Sequence, residues 1–310
     1  MFCGKKHFDL EDIPDLTGKT AIITGANTGI GRVCALEMAR KGCKIILACR
    51  TESKTLPVIE DIKKETGNDQ LEFIPLDLLS LQSVTKFVET FKHRHDTLNI
   101  LINNAGVMMC PFGLSQDGIE TQFATNHVAH YYLTTQLIPL LEKSTPSRIV
   151  TVSSMGHRGC LGGLDLQNIN NSKKYSRAGH YFKSKAANVL FTRELAKRLE
   201  AKGIKHVYAN CNHPGVVNSD LTRHTMGSWA NSLYNFFVTI STEDGATTQL
   251  YLATSPEIEQ KNIKGQYYVP YSVVGQISSV ASSDTNAKEL WEFTENLLKE
   301  KVPGYQGSPI

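Results

Sequence analysis

The sequence predicts one α/β domain, a doubly wound parallel sheet of about seven strands with helices on both faces. Short apolar and β-branched runs alternate with helical segments along all 310 residues, which is typical of parallel sheets. A glycine-rich turn joins the first apolar run to the first helical segment, as in Rossmann-type folds. No internal repeat, low-complexity tract or linker interrupts this alternation, so we expect residues 1–310 to form a single domain.

The predicted strands are short runs rich in Ile, Leu and Val, and the predicted helices repeat apolar residues at helical spacing. Ser80 is an expected N-cap, Gly67 ends the second helix, and Pro139 interrupts or ends the fourth. In chain order the predicted elements are strand 20–24, helix 30–41, strand 44–49, helix 52–66, strand 71–77, helix 81–95, strand 98–106, helix 117–143, strand 147–152, helix 180–203, strand 205–211, helix 243–254, strand 265–269 and helix 287–299.

Composition and charge are those of an ordinary globular protein. Hydrophobic residues make up 41% of the chain, charged residues 20%, and the formal net charge is +3. This charge is too small to indicate nucleic acid or an anionic membrane as a partner. No apolar run approaches the ~18–20 residues that a transmembrane helix needs. We therefore expect a cytoplasmic protein, with weak peripheral contact to an intracellular membrane as the alternative.

The cysteines predict reduced thiols. There are seven of them, scattered along the chain, without a Cys-x-x-Cys pair or the spacing of zinc ligands. We accordingly expect neither a disulfide framework nor a metal site.

The turn Thr24-Gly-Ala-Asn-Thr-Gly-Ile-Gly31 predicts a phosphate-binding site. Gly25 permits a tight turn, Gly29 lets the backbone approach a pyrophosphate, and Gly31 lets the helix pack closely on its strand. Unpaired N–H groups of the first helical turn then point at the anion. Taken alone, the motif fits an ordinary strand-to-helix turn equally well.

Polar residues follow the next strands at the edge where open parallel sheets bind ligands. Arg50 follows the second strand, where a carboxylate would accept from an adenine ribose hydroxyl; a guanidinium suits a 2′-phosphate instead. Arg50 therefore favours NADP(H), with an incidental surface arginine as the alternative, and Arg32 adds positive charge nearby. Asp77 ends the third strand. The fourth ends in Asn103-Asn-Ala-Gly106, where we interpret Asn103 as a structural turn former.

Tyr181 and Lys185 lie four residues apart on a predicted helix and so project from one face. A lysine ammonium beside a phenol stabilises the phenolate and lowers the phenol pKa from about 10. Tyr181 is therefore a candidate general acid for a carbonyl or general base for an alcohol. The spacing alone is weak evidence.

Together, these motifs resemble those of the short-chain dehydrogenase/reductase family. The matching motifs keep the family's order along nearly the whole chain: Thr24–Gly31, Asp77, Asn103–Gly106, Asn126, Ser154, Tyr181-x-x-x-Lys185 and Pro214-Gly215. More narrowly, the chain resembles the retinol dehydrogenase-like branch through Asp117–Glu120, Asn126-His127, Ser184–Phe191, His213–Gly215, Leu290–Glu292 and the long gap between Ser154 and Tyr181. Two positions depart from the branch: Ala129 replaces its usual glycine and Ser219 a common threonine.

The resemblance implies Tyr181 as proton donor or acceptor and Ser154 as the hydrogen-bond donor that polarises a carbonyl. Lys185 would bind the nicotinamide ribose and tune Tyr181, and Asn126 would order a proton-relay water. Ser153 is the alternative for the serine role, although we prefer to interpret it as a core hydroxyl. The expected NADP-binding residues are Gly25, Asn27, Thr28, Gly29, Ile30, Gly31, Arg50, Asp77, Asn104, Ala105, Gly106, Tyr181, Lys185, Pro214, Gly215, Val217 and Ser219.

The expected activity is NADP(H)-dependent hydride transfer to or from an apolar carbonyl or alcohol that is retinoid-, steroid- or lipid-like. The alternatives are an NAD-linked alcohol dehydrogenase and a non-catalytic NADP(H)-binding regulator, which need not keep all four catalytic residue types. Residues 155–180 and 216–241 are expected on the substrate side. The second segment has an aromatic-rich helical face, which fits a lid, a membrane contact or plain core. Helices 117–143 and 180–203 are the expected homodimer interface.

Overall fold

The computed structural model describes residues 7–216 and 240–310. Eight strands form one sheet: β1 Thr20–Thr24, β2 Lys44–Cys49, β3 Leu71–Pro75, β4 Ile100–Asn103, β5 Ser147–Val152, β6 Val207–Asn212, β7 Tyr267–Val269 and β8 Val273–Val274. Their order is β3-β2-β1-β4-β5-β6-β7-β8. The first seven run parallel and β8 is antiparallel to β7. The predicted doubly wound parallel sheet is confirmed. The additional strand, β8, has two residues, too few for a periodic sequence signal.

Helices cover both faces of the sheet. They are α1 Gly29–Arg40, α2 Glu52–Thr66, α3 Leu81–Arg94, α4 Thr121–Phe123, α5 Ala129–Lys143, α6 Arg177–Ala201, α7 Thr242–Thr254, α8 Glu257–Gln260, α9 Ser279–Ser282 and α10 Asp284–Lys301. One buried apolar cluster joins the sheet to α3, α5, α6 and α10, and a second joins it to α1, α2 and α7. Burial on both faces explains why the central strands read as continuous apolar runs.

The strand order reverses between β1 and β4, because β1 pairs with β2 on one side and with β4 on the other. Ligands of open parallel sheets bind at such a reversal, beyond the carboxyl ends of the strands. The glycine turn follows β1, the Asn103–Gly106 turn follows β4, and Ser153 and His213 follow β5 and β6. The topology thus brings motifs from distant parts of the chain to one sheet edge.

The helix predicted over 117–143 is wrong in two respects. It begins at Thr121, because the Glu120 carboxylate accepts from the N–H groups of Gln122 and Phe123 and so caps the first turn. A π-helical segment, Ala124–Val128, then separates α4 from α5. Pro139 does not end the helix and lies within α5. π segments inside α-helices are frequent at functional sites, and this one carries Asn126.

Residues 155–180, expected on the substrate side, contain three short 3₁₀ turns, and α6 begins at Arg177 instead of the predicted residue 180. Cys160, Leu164 and Ile169 from this segment are buried in the cluster that includes α5 and α6. Much of the segment therefore packs on the core. Residues 216–241 are the second segment expected on the substrate side. Within it, residues 217–239, which include Val217 and Ser219, lie outside the described residues.

The outer faces of α5 and α6, expected to form a homodimer interface, are covered by α10 of the same chain. Trp291 of α10 packs edge-on against Tyr131 of α5, with ring centroids 4.8 Å apart, and stacks on Phe191 of α6 at 6.1 Å. The Tyr131 hydroxyl donates to Glu295 at 2.7 Å. The parts of α5 and α6 that α10 covers are therefore not accessible to a partner subunit.

The next three findings apply only to residues 7–216 and 240–310. No helix there is long and apolar enough to cross a bilayer. No group of three or more His, Cys, Asp and Glu side chains could hold a metal ion there. The six cysteines among these residues are all free thiols and all buried.

Candidate active site

The three glycines of the turn after β1 are needed for its backbone conformation and for close packing. Gly25 and Gly29 have φ angles of +65° and +53°, a region that favours glycine. A Cβ atom on Gly31 would lie 2.5 Å from both the Gly25 carbonyl oxygen and the Asn104 Nδ2 atom. A side chain at this position would collide with both atoms, so Gly31 lets the start of α1 pack closely on the end of β1, and we call residues 25–31 the glycine cradle. Such a cradle at a helix N-terminus fits a pyrophosphate.

Hydrogen bonds make the glycine turn and the Asn103–Gly106 turn one unit. The Thr24 hydroxyl accepts from the N–H groups of Asn104 and Ala105, each at 2.9 Å, and Asn104 Nδ2 donates to the Thr24 carbonyl at 2.9 Å. Asn103 is buried and donates to the Thr134 hydroxyl at 2.8 Å, in agreement with a structural role. The turn after β4 is therefore hydrogen-bonded to Thr24, immediately before the glycine turn.

Asn126 is fully buried, and its side chain holds two other elements in place. Its Oδ1 atom accepts from the Val107 N–H at 2.8 Å, and Nδ2 donates to the Val107 carbonyl at 3.0 Å and to the Ser184 hydroxyl at 2.9 Å. The amide therefore joins the segment after Gly106 to α6. Both polar atoms of the Asn126 side chain thus have partners, and the main-chain carbonyl has one as well.

That carbonyl contacts His130, a residue that the sequence analysis missed. Because a carbonyl only accepts, the contact of 3.2 Å makes His130 Nδ1 the donor, and Nε2 then accepts from the Thr24 hydroxyl at 2.9 Å. Burial lowers the pKa of His130 to about 4, so the ring is neutral at pH 7. His130 thereby ties the π segment to the end of β1. No local motif signals this contact, which spans 106 positions.

Lys185 and Tyr181 lie together on the buried face of α6. The Lys185 Nζ atom is 5.9 Å from the centroid of the Tyr181 ring and donates to the Val152 carbonyl at 3.0 Å. Burial lowers the pKa of Lys185 to about 8. A Cβ atom on Gly106 would lie 3.6 Å from this Nζ atom and 3.1 Å from Asn126 Oδ1. The turn after β4 thus approaches both predicted catalytic side chains.

Ser154 lies beside the Tyr181 ring. A Cβ atom on Gly156 would be 3.4 Å from Ser154 Oγ and 3.1 Å from Tyr181 Cε1, so the hydroxyl and the ring flank one narrow space. Ser154 Oγ accepts from the Gly156 N–H at 3.0 Å, which leaves its own proton for another acceptor. Ser153 instead donates to the Lys185 carbonyl at 2.7 Å, as the core-hydroxyl interpretation expects.

Apart from Tyr181 and Lys185 on α6, the predicted NADP-binding residues that the structure describes follow the carboxyl ends of the strands. Residues 25–31 and 104–106 form the cradle and its neighbouring turn, whereas Pro214 and Gly215 follow β6. Arg50 is exposed at the end of β2. Beyond β3, the Asp77 carboxylate accepts from the Leu79 N–H at 3.0 Å, which shapes the turn at that strand end.

Tyr175 and Gln122, which no sequence motif indicates, join two segments near the site. The Tyr175 hydroxyl donates to the Cys110 carbonyl at 2.6 Å and accepts from Gln122 Nε2 at 2.9 Å. Gln122 Oε1 also accepts from the Met109 N–H at 2.8 Å. The apolar segment after Gly106 is thereby joined to the segment that precedes α6. No short motif predicts these contacts between distant residues.

A strand-order reversal, a glycine cradle and the group of Tyr181, Lys185, Ser154 and Asn126 at the same sheet edge define a dinucleotide-binding α/β protein. The sequence matches the short chain dehydrogenase family over residues 19–228. Human retinol dehydrogenase 11 is 39% identical over 284 residues, which cover 91% of this chain and 86% of that protein. Human retinol dehydrogenase 13 is 38% identical over 302 residues, 95% of this chain and 89% of that protein. A crystal structure of an uncharacterized protein from Mycobacterium Paratuberculosis has a TM-score of 0.77 at 34% identity, covering 94% of this chain and 97% of that one.

The chain therefore belongs to the short-chain dehydrogenase family and is retinol dehydrogenase-like within it. It is an oxidoreductase of a family that binds a nicotinamide cofactor. The resemblance inferred from the motifs is confirmed.

Proposed function

We propose that this protein is an NADP(H)-dependent oxidoreductase that acts on apolar aldehydes or ketones, or on the corresponding alcohols. The observation that carries the proposal is the group of Tyr181, Lys185, Asn126 and the half-buried Ser154, which lies next to the turn that is hydrogen-bonded to the glycine cradle. Two relatives named retinol dehydrogenases, at 39% and 38% identity, support a large apolar substrate. The cofactor supplies or accepts the hydride when bound.

The chain's own residues would hold the cofactor at three points. The cradle of residues 25–31 suits the pyrophosphate, because it is a glycine turn at the N-terminus of α1, where the first helical N–H groups lack partners within the helix. Residues 104–106, Pro214 and Gly215 are proposed for the nicotinamide half, with Lys185 on its ribose. Arg50 and Asp77 are proposed for the adenosine half, which places a guanidinium where a 2′-phosphate needs one.

Proton transfer is proposed for Tyr181. In reduction its hydroxyl donates to the carbonyl oxygen of the substrate, and the nearby Lys185 ammonium stabilises the phenolate that remains. Because the pKa of Lys185 is about 8, this ammonium predominates at pH 7. The Ser154 hydroxyl accepts from the Gly156 N–H, and its own proton is proposed to be donated to the same substrate oxygen. Asn126 acts through its main-chain carbonyl, whose second lone pair is proposed to order a relay water.

Apolar residues near the site support an apolar substrate. The segment after Gly106 contains Met108 and Met109, followed by Phe112, which packs edge-on against Tyr175 at 5.2 Å. Phe112 is 38% exposed and Leu161, in the 155–180 segment, is 87% exposed. Ligand sites are mostly apolar with few placed polar groups. Residues 155–180, and 216–241 in chain order after Gly215, are proposed to border the substrate.

Cofactor choice is tested by Arg50→Asp. The loss of a charge-assisted hydrogen bond costs ~1.5–3 kcal/mol, so NADPH affinity is expected to fall by about one to two decades. NADH affinity should change little or improve, because a carboxylate can accept from a ribose hydroxyl. Dissociation constants for both cofactors, measured by nucleotide fluorescence, check this. Lys64→Gln, an exposed charge near the other end of α2, is the control. Equal losses for NADPH and NADH would contradict the assignment of Arg50.

Substrate class is tested with NADPH and straight-chain aldehydes of increasing length, followed by terpenoid and steroid carbonyls. Each buried methylene contributes about 0.8 kcal/mol, so kcat/KM should rise roughly fourfold per methylene until the site is filled. Absorbance at 340 nm reports NADPH consumption. Better reduction of small polar carbonyls would contradict an apolar site. NADPH binding without consumption across the whole series would favour a regulatory protein.

A further inference from the structure

The turn that carries Ser154, residues 154–159, is fixed by a buried histidine. His157 is fully buried, and its Nδ1 atom lies 2.7 Å from the Ser154 carbonyl oxygen. The His157 backbone N–H also donates to this oxygen, at 3.1 Å. Ser154 therefore receives two hydrogen bonds from one residue. The backbone hydrogen bond alone closes the turn. The side-chain bond from Nδ1 is therefore an additional constraint on Ser154.

Both ring nitrogens of His157 are used, which determines their protonation. A carbonyl only accepts, so Nδ1 carries the proton, and Nε2 accepts from the Ser278 N–H at 3.3 Å. The ring also packs edge-on against Tyr267, with centroids 4.8 Å apart. Burial and the nearby Arg158 charge lower the pKa of His157, which preserves the neutral ring. His157 thus connects Ser154 to the segment before α9.

The turn is also held from its other side. A Cβ atom on Gly159 would lie 2.6 Å from Phe182 Cε2, so the Phe182 ring packs directly on the turn. Arg158, which is exposed, donates to the Gln276 carbonyl at 2.9 Å. Arg158 thus contacts the same segment as His157 does, but the bond it makes there does not involve Ser154. It provides a matched control for the histidine.

We propose that His157 is a positioning residue for Ser154. Its Nδ1–H holds the Ser154 carbonyl, and because the backbone of a residue sets the direction of its Cβ, this bond aims the hydroxyl at the space beside Tyr181. The proposal rests on the proposed donor function of Ser154. It extends the site by a side chain that touches neither substrate nor cofactor.

Two variants separate the bonds of His157. In His157→Asn the amide nitrogen takes the place of Nδ1, so the bond to Ser154 is kept and that to Ser278 is lost. In His157→Gln the amide oxygen takes the place of Nε2 as acceptor, so the bond from the Ser278 N–H is kept and that to Ser154 is lost. Each variant loses one hydrogen bond, so we expect similar decreases in Tm. Circular dichroism at the assay temperature gives the folded fraction, and kcat is expressed per folded molecule.

With decanal and NADPH, His157→Gln is expected to lower kcat by about 10- to 100-fold, the cost of a misplaced catalytic group. Its KM and NADPH dissociation constant should stay within about twofold, and His157→Asn should keep kcat within about threefold, since single neutral bonds are weak. Arg158→Leu should behave like the wild type. In a Ser154→Ala background, His157→Gln should have almost no further effect on kcat, because coupled residues are not additive.

Equal losses of kcat in the two histidine variants, no loss in either, or additive losses with Ser154→Ala would each overturn the positioning role. The failure of the underlying function has a different signature. If Ser154→Ala alone retains the wild-type kcat, the donor function of Ser154 is wrong.

Discussion

Tyr181→Phe is expected to lower kcat for carbonyl reduction by about 10²- to 10⁴-fold, the usual contribution of a positioned proton donor. The change removes one oxygen atom from a ring that is 5% exposed, so folding should be retained. NADPH affinity should stay close to the wild-type value, because Lys185 and the glycine cradle are unchanged. Steady-state kinetics with decanal, together with NADPH titration, measures both quantities.

Tyr175→Phe is the control for this change. Its hydroxyl is also hydrogen-bonded, to the Cys110 carbonyl and Gln122, but it joins two segments and has no proposed part in proton transfer. We expect a modest effect on KM and little on kcat. Near-normal turnover in Tyr181→Phe would show that another group donates the proton.

Lys185→Met is expected to lower activity while it raises the stability of the fold. Turnover should fall by about 10²-fold or more, because the phenolate of Tyr181 loses its neighbouring charge. The fold should become more stable at pH 7, since an apolar side chain of similar length replaces a charge that burial disfavours. The Val152 carbonyl keeps a partner, because Asn188 Nδ2 also donates to it at 3.0 Å.

The pKa of Lys185 sets the pH window for this effect. Burial lowers it from the ordinary 10.5 to about 8, so between these values the unfolded chain binds more protons than the folded one. Burial of the charge therefore costs stability in full below about pH 8, and this cost declines as pH rises toward 10.5. The stability advantage of Lys185→Met should shrink over the same range. Urea unfolding of the cofactor-free protein at pH 7 and at higher pH measures it.

Lys202→Met, at the exposed end of the same helix, should change neither turnover nor the pH dependence. In the wild type, kcat/KM for reduction should decline as pH rises above about 8, when Lys185 loses its proton. A Lys185→Met protein that is less stable at pH 7, with the same pH slope as the wild type, would show that the buried ammonium is not the cause.

The alternation of strands and helices follows from local sequence patterns, because burial on both sheet faces requires apolar runs and helical periodicity that are visible in short segments. Helix α2 has the bounds that its pattern predicts, and Ser80 caps α3 by accepting from the Ser83 N–H. The short-chain dehydrogenase family was also recognisable from the sequence, since its motifs are short. The spacing of Tyr181 and Lys185 needs only one helix to bring them together.

Tertiary structure alone decided how these motifs meet. The π segment around Asn126 and the start of α4 at Thr121 depend on Glu120 and Val107 as hydrogen-bond partners, not on helix periodicity. His130 reaches Thr24 across 106 positions, and His157 reaches Ser278 across 121. Such contacts have no local signature, because they arise only when parallel strands bring their carboxyl ends to one edge. Coverage of α5 and α6 by α10 has the same origin, since an amphipathic pattern shows that a face is buried but does not show what buries it.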